Sequence, residues 1–303
     1  MSDTAPSQHT SGEPGSSRFV ERLRGDTPTM TVELRPPRSG LTRGGAMDMW
    51  IDLSHAIRGL AARDAFLMLT DSAVGEEEEE NLQHLTANLA NEVDPWRVVP
   101  FLTCLHPLDY CLRYVDRARA RGVESVTVTG GDKVRGAERC VPHGYQLRRK
   151  FRERTRSLSL GGWVNLHRPI AEQIDFATDR EFEADYYLTQ VVSHHDLARA
   201  ERWLEGAGRE GLEIPGSFGV FYYRNGRRTV LERLSRFFPV PVDAVASAFE
   251  AGVTPERHCA ETIVALRRLG ARHAYLCNLA PHRAATQFDR IMTEVAALEA
   301  GTS

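Results

Sequence analysis

The sequence predicts an α/β fold, a closed (β/α)8 TIM barrel, on three observations. From Met30 onward, short apolar or β-branched runs alternate with longer amphipathic stretches, the pattern of β-α units around a parallel sheet. Eight such units can be counted, enough to close the sheet on itself. No Gly-x-Gly-x-x-Gly turn follows the first run, where an open dinucleotide-binding sheet would carry one.

Taken in order, strands are expected at Met30–Leu34, Ala65–Thr70, Val98–Cys104, Ser125–Thr129, Leu158–Val164, Tyr186–Val191, Leu212–Phe218 and His273–Asn278. The intervening stretches read as helices. In Leu108–Arg121 the residues Leu112, Val115 and Ala118 recur at helical spacing, with arginines opposite. Leu197–Gly208 follows Asp196, an expected N-cap, and ends near glycines. Residues 29–303 are thus expected to form a single barrel domain. Residues 1–28 are rich in Ser, Thr, Pro and Gly and lack an apolar signal core, so they read as a disordered tail, with Met30 as an alternative start.

Composition narrows the partners. The 38 basic and 41 acidic residues nearly cancel, giving a formal net charge of −3 and no electrostatic reason for a nucleic-acid or anionic-membrane partner. No apolar run approaches the roughly 18 to 20 residues that cross a bilayer. The five cysteines form no Cys-x-x-Cys pair, which suits a reducing compartment and a cytoplasmic location. The Glu76–Glu80 run reads as the solvated start of a helix.

In a barrel of this kind the chemistry sits on the carboxyl ends of the strands. Glu33 alternates with Val32 and Leu34, so it faces the interior, where a desolvated carboxyl can act as a general acid or pair with an arginine such as Arg35. Asp132 ends Val128-Thr129-Gly130-Gly131-Asp132, a strand whose glycines let backbone approach a ligand or simply make a turn. Gln190 closes the sixth strand with an amide that can both donate to and accept from a heterocycle edge. Trp163 and His167 can stack on and hydrogen-bond a flat cofactor, with core packing the alternative for the tryptophan. His194, His195 and Asp196 form the most metal-like cluster. Adjacent histidines are expected to point apart and no second pair stands at ligand spacing, so no metal site is assigned.

In this order the segments resemble the catalytic barrel of the methylenetetrahydrofolate reductases, from Met30 to about Arg290. Val32-Glu33-Leu34-Arg35-Pro36-Pro37-Arg38 resembles the family's opening Glu-Phe-Phe-Pro-Pro strand, Leu102-Thr103-Cys104 its His-Leu-Thr-Cys strand, and Gly131-Asp132 its Arg-Gly-Asp turn. Thr189-Gln190 matches its Thr-Gln, Ile214-Pro215-Gly216 its Ile-Pro-Gly, and Asn278 falls in its last-strand motif. The resemblance implies reduction of 5,10-methylenetetrahydrofolate to 5-methyltetrahydrofolate in one-carbon metabolism, with hydride from NADH or NADPH passing through FAD or directly.

By the same resemblance Glu33 is the acid near N10 and Asp132 the anion beside the iminium. Gln190 and Asn278 contact a folate-type substrate. Thr70, Thr103, Gly131, Asp132, Trp163 and His167 line the cofactor. The departures fall on the flavin side: Phe101 and Gly130 replace a histidine and an arginine, and the family's Arg-Lys pair aligns with Thr178-Asp179. On the folate side an arginine is replaced by Leu279. A non-catalytic folate-binding barrel, or a partner subunit of a reductase, is the alternative reading, and barrels of this type often form homo-oligomers.

Overall fold

The computed structural model describes residues 16–71, 81–82, 92–131 and 138–301. Eight parallel strands close into a barrel in sequence order: β1 Met30–Leu34, β2 Phe66–Leu69, β3 Val98–Thr103, β4 Ser125–Thr129, β5 Ser159–Val164, β6 Tyr186–Val192, β7 Gly216–Phe221 and β8 Ala274–Cys277. Closure is direct, since Val32 of β1 is in register with both Leu67 of β2 and Leu276 of β8. The helices among the described residues are α1 Arg18–Arg24, α2 Arg43–Ala61, α3 Leu108–Ala120, α4 Gly144–Arg154, α5 Ile170–Thr178, α6 Ala198–Arg209, α7 Arg228–Leu234, α8 Val242–Glu250, α9 Pro255–Arg268 and α10 Ala284–Ala300. None of them is long and apolar enough to cross a membrane.

Strand alternation sorts the core into two layers. Val32, Leu67, Val126, Leu160 and Leu276 face outward against the helices, in one cluster with Ile57, Tyr114, Phe151 and Ile263. Phe66, Met68, Val99, Phe101, Tyr186, Leu188, Tyr275 and Cys277 fill the interior. Small residues make room for the large rings: a Cβ at Gly161 would lie 2.4 Å from the Tyr186 ring. The Tyr186 hydroxyl meets Thr127 Oγ1 at 2.9 Å, so the inner layer is tied across the barrel as well as packed.

Three expectations need correction. The segment assigned to a disordered tail contains α1, whose Phe19, Val20 and Leu23 are buried and pack into the interior cluster. Phe19 lies 4.8 Å from the Phe66 ring and 5.0 Å from that of Tyr186. Ser17 caps the helix through Val20 N, its own backbone N–H donates to Ser159 Oγ at 3.1 Å, and Ser125 Oγ donates to Ser17 Oγ at 2.7 Å. Because Ser125 and Ser159 open β4 and β5, α1 closes the amino end of the barrel. The barrel domain therefore begins before residue 29.

The seventh strand starts at Gly216 rather than Leu212. The apolar residues just before it serve the preceding helix, with Leu212 N donating to Ala207 O at the end of α6. The cap of α6 is Leu197, and Asp196 instead bridges back to Ser193.

Candidate active site

Glu33 is half-buried on β1, and its neighbours Val32 and Leu34 both belong to the outer core, so its side chain faces the interior as expected. It is close enough to β8 to act on two groups there. Burial, then the adjacent Cys277 and Glu33, hold the Tyr275 phenol well above its usual range. Burial and then Glu33 do the same to the Cys277 thiol. Neither is therefore an anion near neutrality. Trp163 on β5 is half-buried, 6.4 Å from the Phe101 ring and 6.4 Å from that of Tyr275. Phe101 and Tyr275 are buried in the interior cluster, so of the three rings Trp163 is the one with a face left for a flat heterocycle to stack on.

The ends of β2 and β3 carry a network that sequence reading missed. Asp71 Oδ2 accepts from Thr103 N at 2.7 Å and Thr103 Oγ1 at 3.0 Å, while its Oδ1 meets His106 Nε2 at 2.7 Å. The His106 ring lies 4.5 Å from that of Tyr110. Beneath it, the buried Asn81 amide donates to the carbonyls of Leu69, Thr70 and Phe101, and accepts from Tyr114 Oη at 2.7 Å. Thr70 is thus a buried part of the scaffold. The only local signal was an aspartate directly after a strand, which is common in loops.

Gly131 adopts φ +75, a conformation that favours glycine. A Cβ there would lie 2.7 Å from Leu105 and 3.1 Å from Thr103 Cβ, so protein already fills the adjoining space. Its carbonyl accepts from Arg139 at 2.6 Å. Asp132, like the Glu76–Glu80 run, lies outside the described residues.

After the neighbouring β5, His167 Nε2 meets Val191 O at 2.9 Å, and burial lowers the imidazole below its usual pKa. The ring is therefore neutral near pH 7, with Nε2–H donating. Gln190 sits at the irregularity of the β6–β7 pairing between Leu188 and Val191, and its Oε1 accepts from Val191 N at 2.9 Å. Asn278 has φ +71 and donates Nδ2–H to Tyr222 O at 3.0 Å, while its own carbonyl accepts from Arg224. The barrel thus brings Glu33, Thr103, Gly131, Trp163, His167, Gln190 and Asn278 to its carboxyl end. Several of these polar atoms already serve the backbone.

Thr178 and Asp179 are not in this group. They end α5, where Thr178 Oγ1 donates to Ile174 O and Asp179 Oδ1 accepts from Glu181 N. A crossover helix returns the chain to the amino ends of the strands, away from the mouth. The loop that does follow β5 to the mouth carries Asn165, His167 and Arg168.

The expectation that His194 and His195 point apart also fails. Their ring centroids are 4.0 Å apart, and His258 of α9 joins them at 4.7 and 5.2 Å. Burial first, and then the neighbouring imidazoles, push His194 down to about 4 and His258 down to about 3.

These features define a closed β/α barrel with an interior carboxyl and a half-buried tryptophan at its carboxyl end. No protein-family model matches the chain, and no curated protein matches its sequence. Solved structures do share the fold. An uncharacterized protein from Clostridium thermocellum that binds two copies of 5-methyl-5,6,7,8-tetrahydrofolic acid superposes with a TM-score of 0.62 at 12% identity, covering 92% of this chain and 98% of that one. An F420-dependent secondary alcohol dehydrogenase, in complex with an F420-acetone adduct, superposes with a TM-score of 0.56 at 13% identity, covering 89% and 99%.

Proposed function

We propose that this chain reduces 5,10-methylenetetrahydrofolate to 5-methyltetrahydrofolate with NADH or NADPH as the hydride donor. The observation that carries the reading is Glu33, a half-buried carboxyl on β1 that faces the interior at the carboxyl end of the barrel, close to Tyr275 and Cys277 of β8. The barrel neighbour that binds 5-methyl-5,6,7,8-tetrahydrofolic acid supports it.

A resident flavin does not fit the groups assigned to it. Both Thr103 donors are committed to the Asp71 carboxylate, and His167 Nε2–H is committed to Val191 O. The space over Gly131 is filled by Leu105. The proposed route is therefore direct transfer from nicotinamide to folate.

The Glu33 carboxylic acid donates its proton to N10, the bond from the methylene carbon to N10 breaks, and an iminium forms at N5. Hydride from C4 of the nicotinamide adds to that carbon, giving the 5-methyl group and the oxidised nicotinamide. Glu33 regains its proton from solvent. Trp163, backed by the buried Phe101 and Tyr275 rings, holds the flat reactants in register, and orientation of two reactants is a large share of such a rate enhancement. Asp132, which follows β4 in the sequence, is the anion proposed to face the iminium.

The test uses nicotinamide deuterated at C4 with the purified chain under anaerobic conditions. Deuterium in the 5-methyl group of the product, from a protein without flavin absorption, is the expected result. Flavin bands in the active protein would restore the two-step relay. Tight folate binding with no reduction by either nicotinamide would instead identify a folate-binding module or partner subunit.

A further inference from the structure

We propose that His194, His195 and His258 form a binding site for a divalent transition metal of the zinc class, joining the loop after β6 to α9. One ligand atom from each of the three residues lies within 4.8 Å of the other two, although His258 is 63 positions from His195 in sequence. His195 Nε2 and His258 Nε2 are 3.3 Å apart. Two nitrogens bound tetrahedrally at zinc distances stand about 3.3 Å from each other. The pair is thus spaced as ligands, with no large movement required.

The surroundings set the tautomer of His194. Thr262 Oγ1 donates to His258 O at 3.3 Å, so toward His194 the hydroxyl is an acceptor. His194 Nδ1 lies 2.9 Å from that oxygen and is therefore the protonated nitrogen. In the neutral ring this leaves the lone pair on Nε2, which faces Glu261 Oε2 at 3.5 Å. Two acceptors facing each other are repulsive unless a cation lies against them. Glu261 is held from its other side by Arg257 Nε at 3.0 Å, which fixes the carboxylate in place. The Thr262 hydroxyl at Nδ1 is the kind of outer-shell partner that orients a ligating imidazole, and the Glu261 carboxylate stands on the ligand side, where a cation would offset its charge.

Burial points the same way. His258 is 1% exposed, with Tyr223 and Phe249 rings 5.4 and 5.8 Å from its own, while His195 is open to solvent. Three protein nitrogens with an accessible fourth position is the arrangement of a zinc site that keeps one position for water or a ligand. A plain hydrogen bond between His195 and His258 accounts for one close approach; it leaves the His194–Glu261 contact unexplained.

The full chain, freed of metal with a chelator and dialysed, is titrated with Zn2+ and separately with Co2+. The expected results are a single equivalent bound, a rise in thermal midpoint with Zn2+, and tetrahedral visible bands with Co2+. His195→Ala, at the exposed position, should keep the fold by circular dichroism and weaken Zn2+ at least tenfold. His258→Asn should do so more strongly, and if that variant misfolds, His195→Ala decides alone. Absence of stoichiometric binding by the folded wild-type chain, or unchanged affinity in His195→Ala, would overturn the site. Neither readout depends on folate turnover, so the site stands or falls apart from the proposed reaction.

Discussion

At the amino end of the barrel Phe19, Val20 and Leu23 are 0%, 0% and 3% exposed, and the serines of α1, β4 and β5 bond to one another. At the carboxyl end Glu33, Trp163 and Gln190 are only half-buried, and Asp71, the imidazoles of His106, His167, His194 and His195, and the positive-φ Gly131 and Asn278 lie on the loops, with His258 of α9 beside them. The first arrangement is what packing alone favours. The second keeps polar groups in partial desolvation, which costs stability unless binding or chemistry uses them. Stability and activity are therefore expected to separate by end.

The sharpest way to break that comparison is Glu33→Gln. An amide keeps the shape and cannot donate the acid proton, so turnover of methylenetetrahydrofolate should fall by about 10³-fold, within the usual range for a general acid. That is about 4 kcal/mol of transition-state stabilisation. The thermal midpoint should stay near wild type. Steady-state kinetics beside differential scanning calorimetry reads both; normal turnover would remove Glu33 from the mechanism.

Phe19→Ala should do the reverse. It empties a buried site between Phe66 and Tyr186, and a Phe-to-Ala truncation in a core costs about 3 to 5 kcal/mol. Urea unfolding should show the loss, with kcat/KM per folded molecule unchanged. A variant that loses activity at full stability would show that the plug shapes the mouth.

Asp71→Asn tests whether the mouth is independent of the scaffold beneath it. Asparagine keeps one acceptor and loses the charge, so the Thr103 and His106 contacts weaken. Hydrogen bonds to a charged group contribute about 1.5 to 3 kcal/mol. A loss of about 2 kcal/mol in unfolding free energy is expected, with a rise in KM for the folate as the β3 loop loosens.

The division between the ends also explains what could be read from sequence. Seven strands lie within two residues of their expected bounds, because a short apolar or β-branched run bounded by polar and turn residues marks a buried parallel strand. The seventh was displaced because Leu212 looks like a strand residue while it closes α6, and Ile214 packs against the outer core before the strand begins. Helix α1 was masked by the Ser, Thr, Pro and Gly around it, although Ser17 as a cap ahead of Phe19, Val20 and Leu23 is a legible signature. Glu33 was legible because its strand neighbours are apolar. Asp71 with His106, 35 positions apart, and His195 with His258 were not, since only closure of the barrel brings them together.

The smallest expected effect lies at the amino end and depends on pH. His273 Nδ1 accepts from Thr29 N at 3.1 Å, tying the segment after α1 to the start of β8. Burial lowers the imidazole below its usual 6.5; nearby Arg272 lowers it further, the Leu23 carbonyl raises it, and Arg267 lowers it. The unfolded chain thus takes up the proton first. Above 6.5 both states are neutral and stability is flat; as pH falls below 6.5 toward the lowered folded value, stability is lost. Protonation at Nδ1 also removes the Thr29 bond, a contribution of about 1 kcal/mol. His273→Asn, which offers an amide oxygen and does not titrate here, should flatten that part of the curve in thermal scans between pH 7.5 and 5. An unchanged slope would assign the acid sensitivity to the carboxyl-end histidines, and the amino end would then be insensitive to protons as well as to substrate.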